Sequence, residues 1–303
     1  MNWIKKGIIY NVSGNSPWAK LYASVPIVDK IDTSQYRIYF TSRNLENQSS
    51  MGFFEININE PKKILFETNE PILKPGKLGT FDESGVMGVS LVTHKRKKYL
   101  YYVGWNQPKT VPFRWSIGLA ISEDGGKTFS KFSDGPILER NTIDPYFVSS
   151  PFVILDNKLW KMYYISGLGW NISKNGEKFI PYHIRYAESS DGINWDRKGI
   201  VAVDFMYENE TRIAKACVFQ ENEMYKMFYC YAIHNYIIGY AESSDGINWD
   251  RKDEQAGITT SKSGWDSEMI EYPFFINHNG KKYLFYNGNK YGKTGIGYAV
   301  LKK

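Results

Sequence analysis

Cysteine is almost missing from this chain. Only Cys217 and Cys230 occur among 303 residues, with no second pair and no CxxC spacing. That excludes a disulfide scaffold and a structural zinc site, and leaves two small apolar residues on neighbouring strands. Long apolar runs are missing too. No stretch is long enough to span a bilayer, and the opening MNWIKKGIIYNVSG lacks the apolar core of a signal peptide. A cytoplasmic protein with no membrane partner is therefore expected. Helical periodicity is nearly absent, which argues against crossover connections and a parallel α/β sheet. The net charge of +6 is spread along the chain, with one short run at Lys95–Lys98. No basic stripe or recognition motif accompanies it, so nucleic acid is not an expected partner. His94, His183, His234 and His278 show no ligand spacing, and neither a metal nor another cofactor is expected.

What is abundant is aromatic. Phe, Trp and Tyr make up 16% of the chain, and Gly occurs 26 times, the composition of a sheet-rich protein with many turns. The segment YAESSDGINWDRK stands unchanged at Tyr186–Lys198 and Tyr240–Lys252, an offset of 54 residues, within the range of repeat architectures. A weaker copy runs from Gly118 to Phe132, and a truncated one ends the chain at Ile296–Lys303. Ahead of each lies an alternating aromatic segment (YRIYF, YLYYVG, LWKMYYISG, YKMFYCYA, YLFYNGN), and ahead of that an apolar run. The pattern reads as strand, turn, strand, loop, strand, Asp-Gly turn, strand, five times over. Four antiparallel strands per unit in a radial array is the propeller solution to unpaired strand edges.

The two ends complete each other. The last unit stops after its third strand, while Asn2-Trp3-Ile4-Lys5-Lys6-Gly7-Ile8 matches Asn194-Trp195-Asp196-Arg197-Lys198-Gly199-Ile200. The expectation is an all-β, five-bladed β-propeller forming one domain over 1–303, its ring closed by the N-terminal strand completing the last blade. Trp3 then pairs with the strand around Gly297–Val300. Asp124, Asp191 and Asp245 are assigned to tight turns rather than chemistry.

Function is sought where the repeats differ. Aligning the inner strands on their apolar runs puts Ser24, Gly88, Ser149, Lys215 and Glu271 at one level around the axis. Leu21, Gly85, Tyr146, Arg212 and Glu268 lie three residues earlier, preceded by Asp82, Glu83, Asp144, Glu210 and Asp266. Charged side chains at crowded positions are costly unless they pair or serve a ligand. Loops on the same face carry Arg43, Trp105, Trp115, Trp170, His183, Tyr231, His234, Asn287 and Asn289. Trp and Tyr offer flat faces to sugar rings, and Asn, Arg and His donate to hydroxyl or phosphate groups. A carbohydrate or nucleotide-sugar is the expected ligand.

The Asp-Gly turns resemble the Asp-box turns of sialidases. Five units with inner strands of the form xxP[FY][VF] resemble the propellers of glycoside hydrolase families 43, 62 and 32 and the family 130 phosphorylases. The stretches TRIAKACVF, GWDSEMIEYPFF and YNGNKYGKTGIGYA are similar to a bacterial glycosidase-like group associated with surface-glycan synthesis. The resemblance implies hydrolysis or transfer of a glycosyl unit by paired carboxylates. The family 43 pattern is kept in part: the first inner strand has no carboxylate, the third has Ser149-Ser150-Pro151, and Glu271-Tyr272-Pro273 retains an acid. Glu271 is the expected acid/base residue, with Asp82 or Asp266 as the second carboxylate. Arg212, Lys215, Glu268, Asp144, Arg43, Trp105, Trp170, His183, Tyr231, His234 and Asn289 are the expected binding residues. The competing expectation is a non-catalytic propeller that binds a carbohydrate or nucleotide-sugar.

Overall fold

Each alternating aromatic segment is a strand sandwiched between the apolar run before it and the Asp-Gly segment after it. The computed structural model describes residues 1–302. Its strands are β1 (Trp3–Tyr10), β2 (Leu21–Lys30), β3 (Gln35–Arg43), β4 (Ser49–Asn57), β5 (Ile64–Glu67), β6 (Gly85–His94), β7 (Lys97–Asn106), β8 (Arg114–Ser122) and β9 (Ser130–Lys131). They continue as β10 (Val148–Asp156), β11 (Leu159–Gly167), β12 (Asn171–Ile172), β13 (Lys178–Phe179), β14 (Tyr182–Ser189), β15 (Asp196–Val203) and β16 (Arg212–Glu221). The last are β17 (Met224–Ala232), β18 (Tyr236–Ser243), β19 (Asp250–Arg251), β20 (Glu271–His278), β21 (Lys281–Asn287) and β22 (Ile296–Leu301). Antiparallel pairing groups them as β2-β3-β4-β5, β6-β7-β8-β9, β10-β11-β14-β15, β16-β17-β18-β19 and β20-β21-β22-β1. In the last group Trp3 stands opposite Leu301 and Lys5 opposite Ala299. The inner strands pack in series, β2 on β6, β6 on β10, β10 on β16, β16 on β20, and β20 back on β2. Among the described residues no helix is long and apolar enough to cross a membrane.

Adjacent groups are fastened by a repeated contact. In the second strand of a group a buried tyrosine donates its hydroxyl to a glycine carbonyl in the Asp-Gly turn of the next. Tyr39 reaches Gly126 at 3.0 Å, Tyr101 reaches Gly192 at 2.9 Å, and Tyr163 reaches Gly246 at 2.7 Å. The turns are built by their aspartates: Asp191 Oδ1 accepts from the Ile193 and Asn194 N–H groups, both at 2.8 Å. Asp245 repeats this in the next group, and Asp124 accepts from Lys127 and Thr128. Gly192 and Gly246 sit at φ 76° and 74°, a conformation that a side chain disfavours. The aromatic residue after each turn packs edge-on against the same tyrosine ring. The pairs are Phe129 with Tyr39, Trp195 with Tyr101, and Trp249 with Tyr163. Trp3 takes that place against Phe228, at 5.9 Å between centroids.

Each inner strand is kinked near the axis by an extra residue, and β2 carries a second extra residue just before it. Four of these bulges hold a non-glycine residue in left-handed conformation: Val25, Ser150, Lys215 and Tyr272, with φ of 55°, 47°, 54° and 54°. A bulge re-aims the side chains around it. It also corrects the alignment expected from sequence. Ser24, Met87, Ser149, Ala214 and Glu271 face Thr41, Val103, Ile165, Cys230 and Asn287 across the pairing, and so share a level. Lys215 is one residue further on, level with Val25, Ser150 and Tyr272.

Candidate functional site

The bulged inner strands leave a cavity of about 500 Å³ on the axis, the size of a small-ligand site. Its walls come from every strand group but are unequal in chemistry. One side is apolar and flat: Phe113 stacks on Trp115 at 4.1 Å, and Trp170 stands edge-on to Phe113 at 5.2 Å. Another part of the wall is phenolic, with Tyr182, Tyr236, Tyr272 and Tyr291. The buried Tyr182 and Tyr236 hydroxyls bond to each other. Arg212 lies over the Tyr236 ring at 4.9 Å and is fixed by hydrogen bonds to the His234 carbonyl at 2.7 Å and the Tyr291 hydroxyl at 3.3 Å.

Four cations, Arg43, Lys178, Arg212 and Lys215, line the cavity, and among the described lining residues there is no carboxylate. Arg43 is held on the Trp105 ring at 5.2 Å and the Tyr22 ring at 5.9 Å. Lys215 has no exposure at all, and its Nζ has no hydrogen-bond partner among the described residues. It rests between the Phe152 and Phe274 rings, at 5.3 and 5.4 Å. Burial lowers its pKa from 10.5 to about 8, opposed by the nearby Cys217 and Cys230 thiols.

Glu271 is fully buried outside the lining, next to the cavity-facing Tyr272. Neither carboxyl oxygen has a well-formed hydrogen bond among the described residues. Tyr272 and the Tyr291 N–H lie close without good bonding geometry, and Arg212 is near enough to pull the pKa down. Burial outweighs both and pushes the carboxyl well above its usual range. Among the described residues Lys215 and Glu271 do not pair with each other.

The remaining carboxylates expected at the axis, Asp82, Asp144 and Asp266, are elsewhere. Asp82 accepts from the Tyr102 hydroxyl at 3.0 Å and from Lys131 at 2.5 Å. Asp144 accepts from the Tyr164 hydroxyl at 3.0 Å and from Arg185 and Arg197, each at 2.9 Å. Asp266 accepts from the Tyr286 hydroxyl at 2.9 Å and from Lys5 at 2.7 Å. These are one relay repeated, joining the segment before the inner strand to the second and fourth strands of its own group. The fourth group divides these contacts between two acids: Tyr229 donates to Asp253, while Arg251 bridges Asp253 and Glu210. Desolvated carboxylates with two or three donors each are structural acceptors, not free bases.

Several expected binding residues are likewise structural. Trp105 donates to Ser49 Oγ at 2.8 Å and touches the cavity only through Arg43. The His183 Nδ1 pairs with Asp204 at 2.9 Å, its Nε2 accepts from Arg185 at 3.2 Å, and burial lowers its pKa. Tyr231 stacks on Tyr207 at 5.5 Å beneath Arg251. His234 is exposed and contributes its carbonyl to Arg212. Asn289 accepts from the Glu268 and Met269 N–H groups, and with the exposed Glu268 borders a separate open hollow of about 470 Å³. Asn287 is consumed in joining β21 to β2, donating to the Ala23 carbonyl at 2.6 Å and accepting from the Val25 N–H at 2.9 Å. Of the expected binding set, Arg43, Trp170, Arg212 and Lys215 face the cavity. Tyr182 and Tyr236 were missed, although each stands four residues before the duplicated YAESSDGINW and the two share its 54-residue offset. Among the described residues no three His, Cys, Asp or Glu side chains are grouped to hold a metal ion.

No family model matches the chain. Two proteins of Mycobacterium tuberculosis do, "Uncharacterized protein MT1551" of strain CDC 1551 / Oshkosh and "Uncharacterized protein Rv1502" of strain ATCC 25618 / H37Rv. Each is 38% identical over 302 residues, covering 100% of both chains. Among solved structures, BT0996 in an RGII complex has a TM-score of 0.74 at 18% identity, covering 99% of this chain and 91% of that one. A thermostable family-43 glycoside hydrolase has a TM-score of 0.67 at 15% identity, covering 94% and 89%. Zg3597, a family 117 glycoside hydrolase of Zobellia galactanivorans, has a TM-score of 0.66 at 12% identity, covering 99% and 90%. At these identities the likeness is one of fold: the chain has the all-β, glycosidase-like propeller fold.

Proposed function

For a chain that belongs to the family of the mycobacterial proteins MT1551 and Rv1502, we propose a role in binding an anionic carbohydrate on the axis of a closed propeller. In this reading the five strand groups are blades of one domain over 1–303, with β1 as the clasp. Its support is the packing of β20 on β2 and the place Trp3 takes against Phe228. The ligand is a sugar bearing a carboxylate or phosphate, free or as a nucleotide-sugar, and the setting proposed with it is cytoplasmic glycan synthesis. One observation carries this: the cavity presents flat aromatic faces and four cations with no carboxylate among its described lining residues. Neutral sugars have no use for that charge, whereas Arg and Lys recognise carboxylate and phosphate.

The experiment is thermal-shift and calorimetric titration with uronic acids, sugar phosphates, sugar nucleotides and their neutral parents. A ligand at a hundred times its Kd stabilises the fold by roughly 2.7 kcal/mol. Shifts confined to the charged members are the expected result. Equal shifts with neutral parents, or none with any member, overturn it.

A second reading, glycosyl cleavage or transfer, rests on Glu271 as a buried acid beside the cavity. Two-carboxylate chemistry needs a partner about 5–10 Å away, and Asp82 and Asp266 are engaged by Lys131 and Lys5. Glu271 then acts as the single acid. If Glu271→Gln leaves turnover of a confirmed substrate unchanged, this reading falls.

A further inference from the structure

We propose that Lys215 is a covalent site, its amine condensing with the carbonyl group of a small anionic ligand, a 2-oxo acid or an open-chain sugar phosphate, to form an imine. The inference rests on the anion-binding reading above and deepens it by naming the reacting group. An ammonium that merely attracted anions would gain from a hydrated position at the cavity mouth. Lys215 is instead fully buried and, among the described residues, unpartnered, on a left-handed bulge between two phenyl rings, yet it still lines the cavity. That setting disfavours the charged amine and leaves a nucleophilic lone pair on a residue of the cavity wall, one rotamer change from the space a ligand enters.

The titratable neighbours are few. Cys217 on its own strand and Cys230 on β17 face the amine. Arg212, Tyr272 and Glu271 surround Cys230 in turn. The acid among them, Glu271, is one whose burial favours its neutral form. Arg212 and Arg43 remain free to take the carboxylate or phosphate, since neither is ion-paired to an acid among the described residues.

The chemistry balances without an outside partner. The Nζ lone pair adds to the carbonyl carbon, giving a carbinolamine. Its oxygen takes a second proton and leaves as water, and the C=O bond is replaced by C=N. Overall one ammonium and one carbonyl give one iminium and one water, with no net oxidation or reduction. Addition of water reverses the step.

The test uses the full chain with pyruvate and, separately, ribose 5-phosphate, each with sodium cyanoborohydride to reduce any imine to a stable secondary amine. Peptide mapping then locates the adduct. With a pKa of about 8 against 10.5 for an ordinary lysine, the neutral fraction at pH 7 is greater by roughly two orders of magnitude. One dominant adduct at Lys215 is expected, growing as pH rises toward 8 and levelling above it, and absent from Lys215→Arg, which keeps a cation but cannot form the imine. Because mapping is done on the native chain, a variant that folds poorly does not blunt the test. If calorimetry shows either probe binding while adducts spread over exposed lysines and spare Lys215, the imine is overturned and the anion site stands. If no anionic probe binds and Lys215 stays unmodified, both readings fall.

Discussion

Buried charge is handled in two opposite ways within this molecule. In the bodies of the strand groups, Asp82, Asp144, Asp253 and Asp266 are desolvated and every one is matched by a tyrosine hydroxyl and a basic side chain. On the axis, Lys215 and Glu271 are equally buried and matched by nothing among the described residues. The same sequence can therefore supply partners where it needs them, and their lack at the axis is what the proposed anion site rests on. The first group sharpens the contrast, because it builds the relay position from hydrocarbon. There Trp18 stacks on Phe40 at 5.7 Å, and Phe40 stands where the other groups have Tyr102, Tyr164, Tyr229 and Tyr286. A relay is thus one solution to filling that space, not a requirement of the fold.

The comparison makes predictions of opposite sign. Asp144→Ala strands Arg185 and Arg197, both largely buried, and should cost about 3–5 kcal/mol in denaturant unfolding. A loss below about 1 kcal/mol would mean that the relays are as dispensable as surface ion pairs. Lys215→Met should do the reverse. The folded pKa of about 8 lies below the unfolded 10.5, so the folded state resists protonation. Stability is lowest below pH 8 and rises as pH climbs from 8 toward 10.5. Removing the amine should gain about 1–3 kcal/mol at pH 7 and flatten that rise, while weakening anion binding. A destabilised variant would show that the amine has a partner after all.

Glu271→Gln should change stability at pH 4 by less than about 1 kcal/mol, because the folded carboxyl is then neutral already. Above 4.5 the unfolded chain ionises while burial holds the folded group neutral, so native stability falls with rising pH and the variant should not follow it. Parallel pH profiles for the two proteins would contradict this. The smallest effect is expected at a matched, exposed charge. The turn's N–H donors hold Asp191 down to about 2 from 3.8, so its contribution is present above 3.8 and lost as pH falls through 2. Asp191→Asn should shallow the acid limb of the stability curve within that window and leave neutral-pH ligand affinity unchanged.

Much of the architecture was legible because the repeats are literal. The 54-residue duplication fixed the strand order, and Asn2-Trp3 was readable as a displaced copy of Asn194-Trp195; Trp3 does pair opposite Leu301. The axial level was misread by one residue at Gly88 and Lys215, since a bulge adds a residue without any compositional mark. The relay aspartates were expected as ligand groups because acids before an inner strand look functional one at a time, and the tyrosine and basic partners the structure gives them were not foreseen. Their spacing held the answer: Asp82 to Tyr102, Asp144 to Tyr164 and Asp266 to Tyr286 are each 20 residues. A feature repeated at fixed spacing belongs to the scaffold. Lys215 escapes that rule, since its counterparts are Val25, Ser150 and Tyr272.

The tyrosine-to-glycine fastenings bear on how such a chain could have grown. The second and third groups each hold half of two joints, a hydroxyl for the group after and a turn carbonyl for the group before, while the first holds only the hydroxyl and the fourth only the carbonyl. A group with both halves can be followed by another of its kind without altering the joint, and the unchanged YAESSDGINWDRK copies supply the same turn carbonyl to the third and fourth groups. Where the series ends the coupling must be rewritten. There Phe228 replaces the tyrosine, and the group it faces presents Trp3 in place of an Asp-Gly turn. Phe285 stands at the same position in the fifth group, so the tyrosine-to-glycine joint runs through the first three groups and stops, two of the five second strands carrying no hydroxyl there.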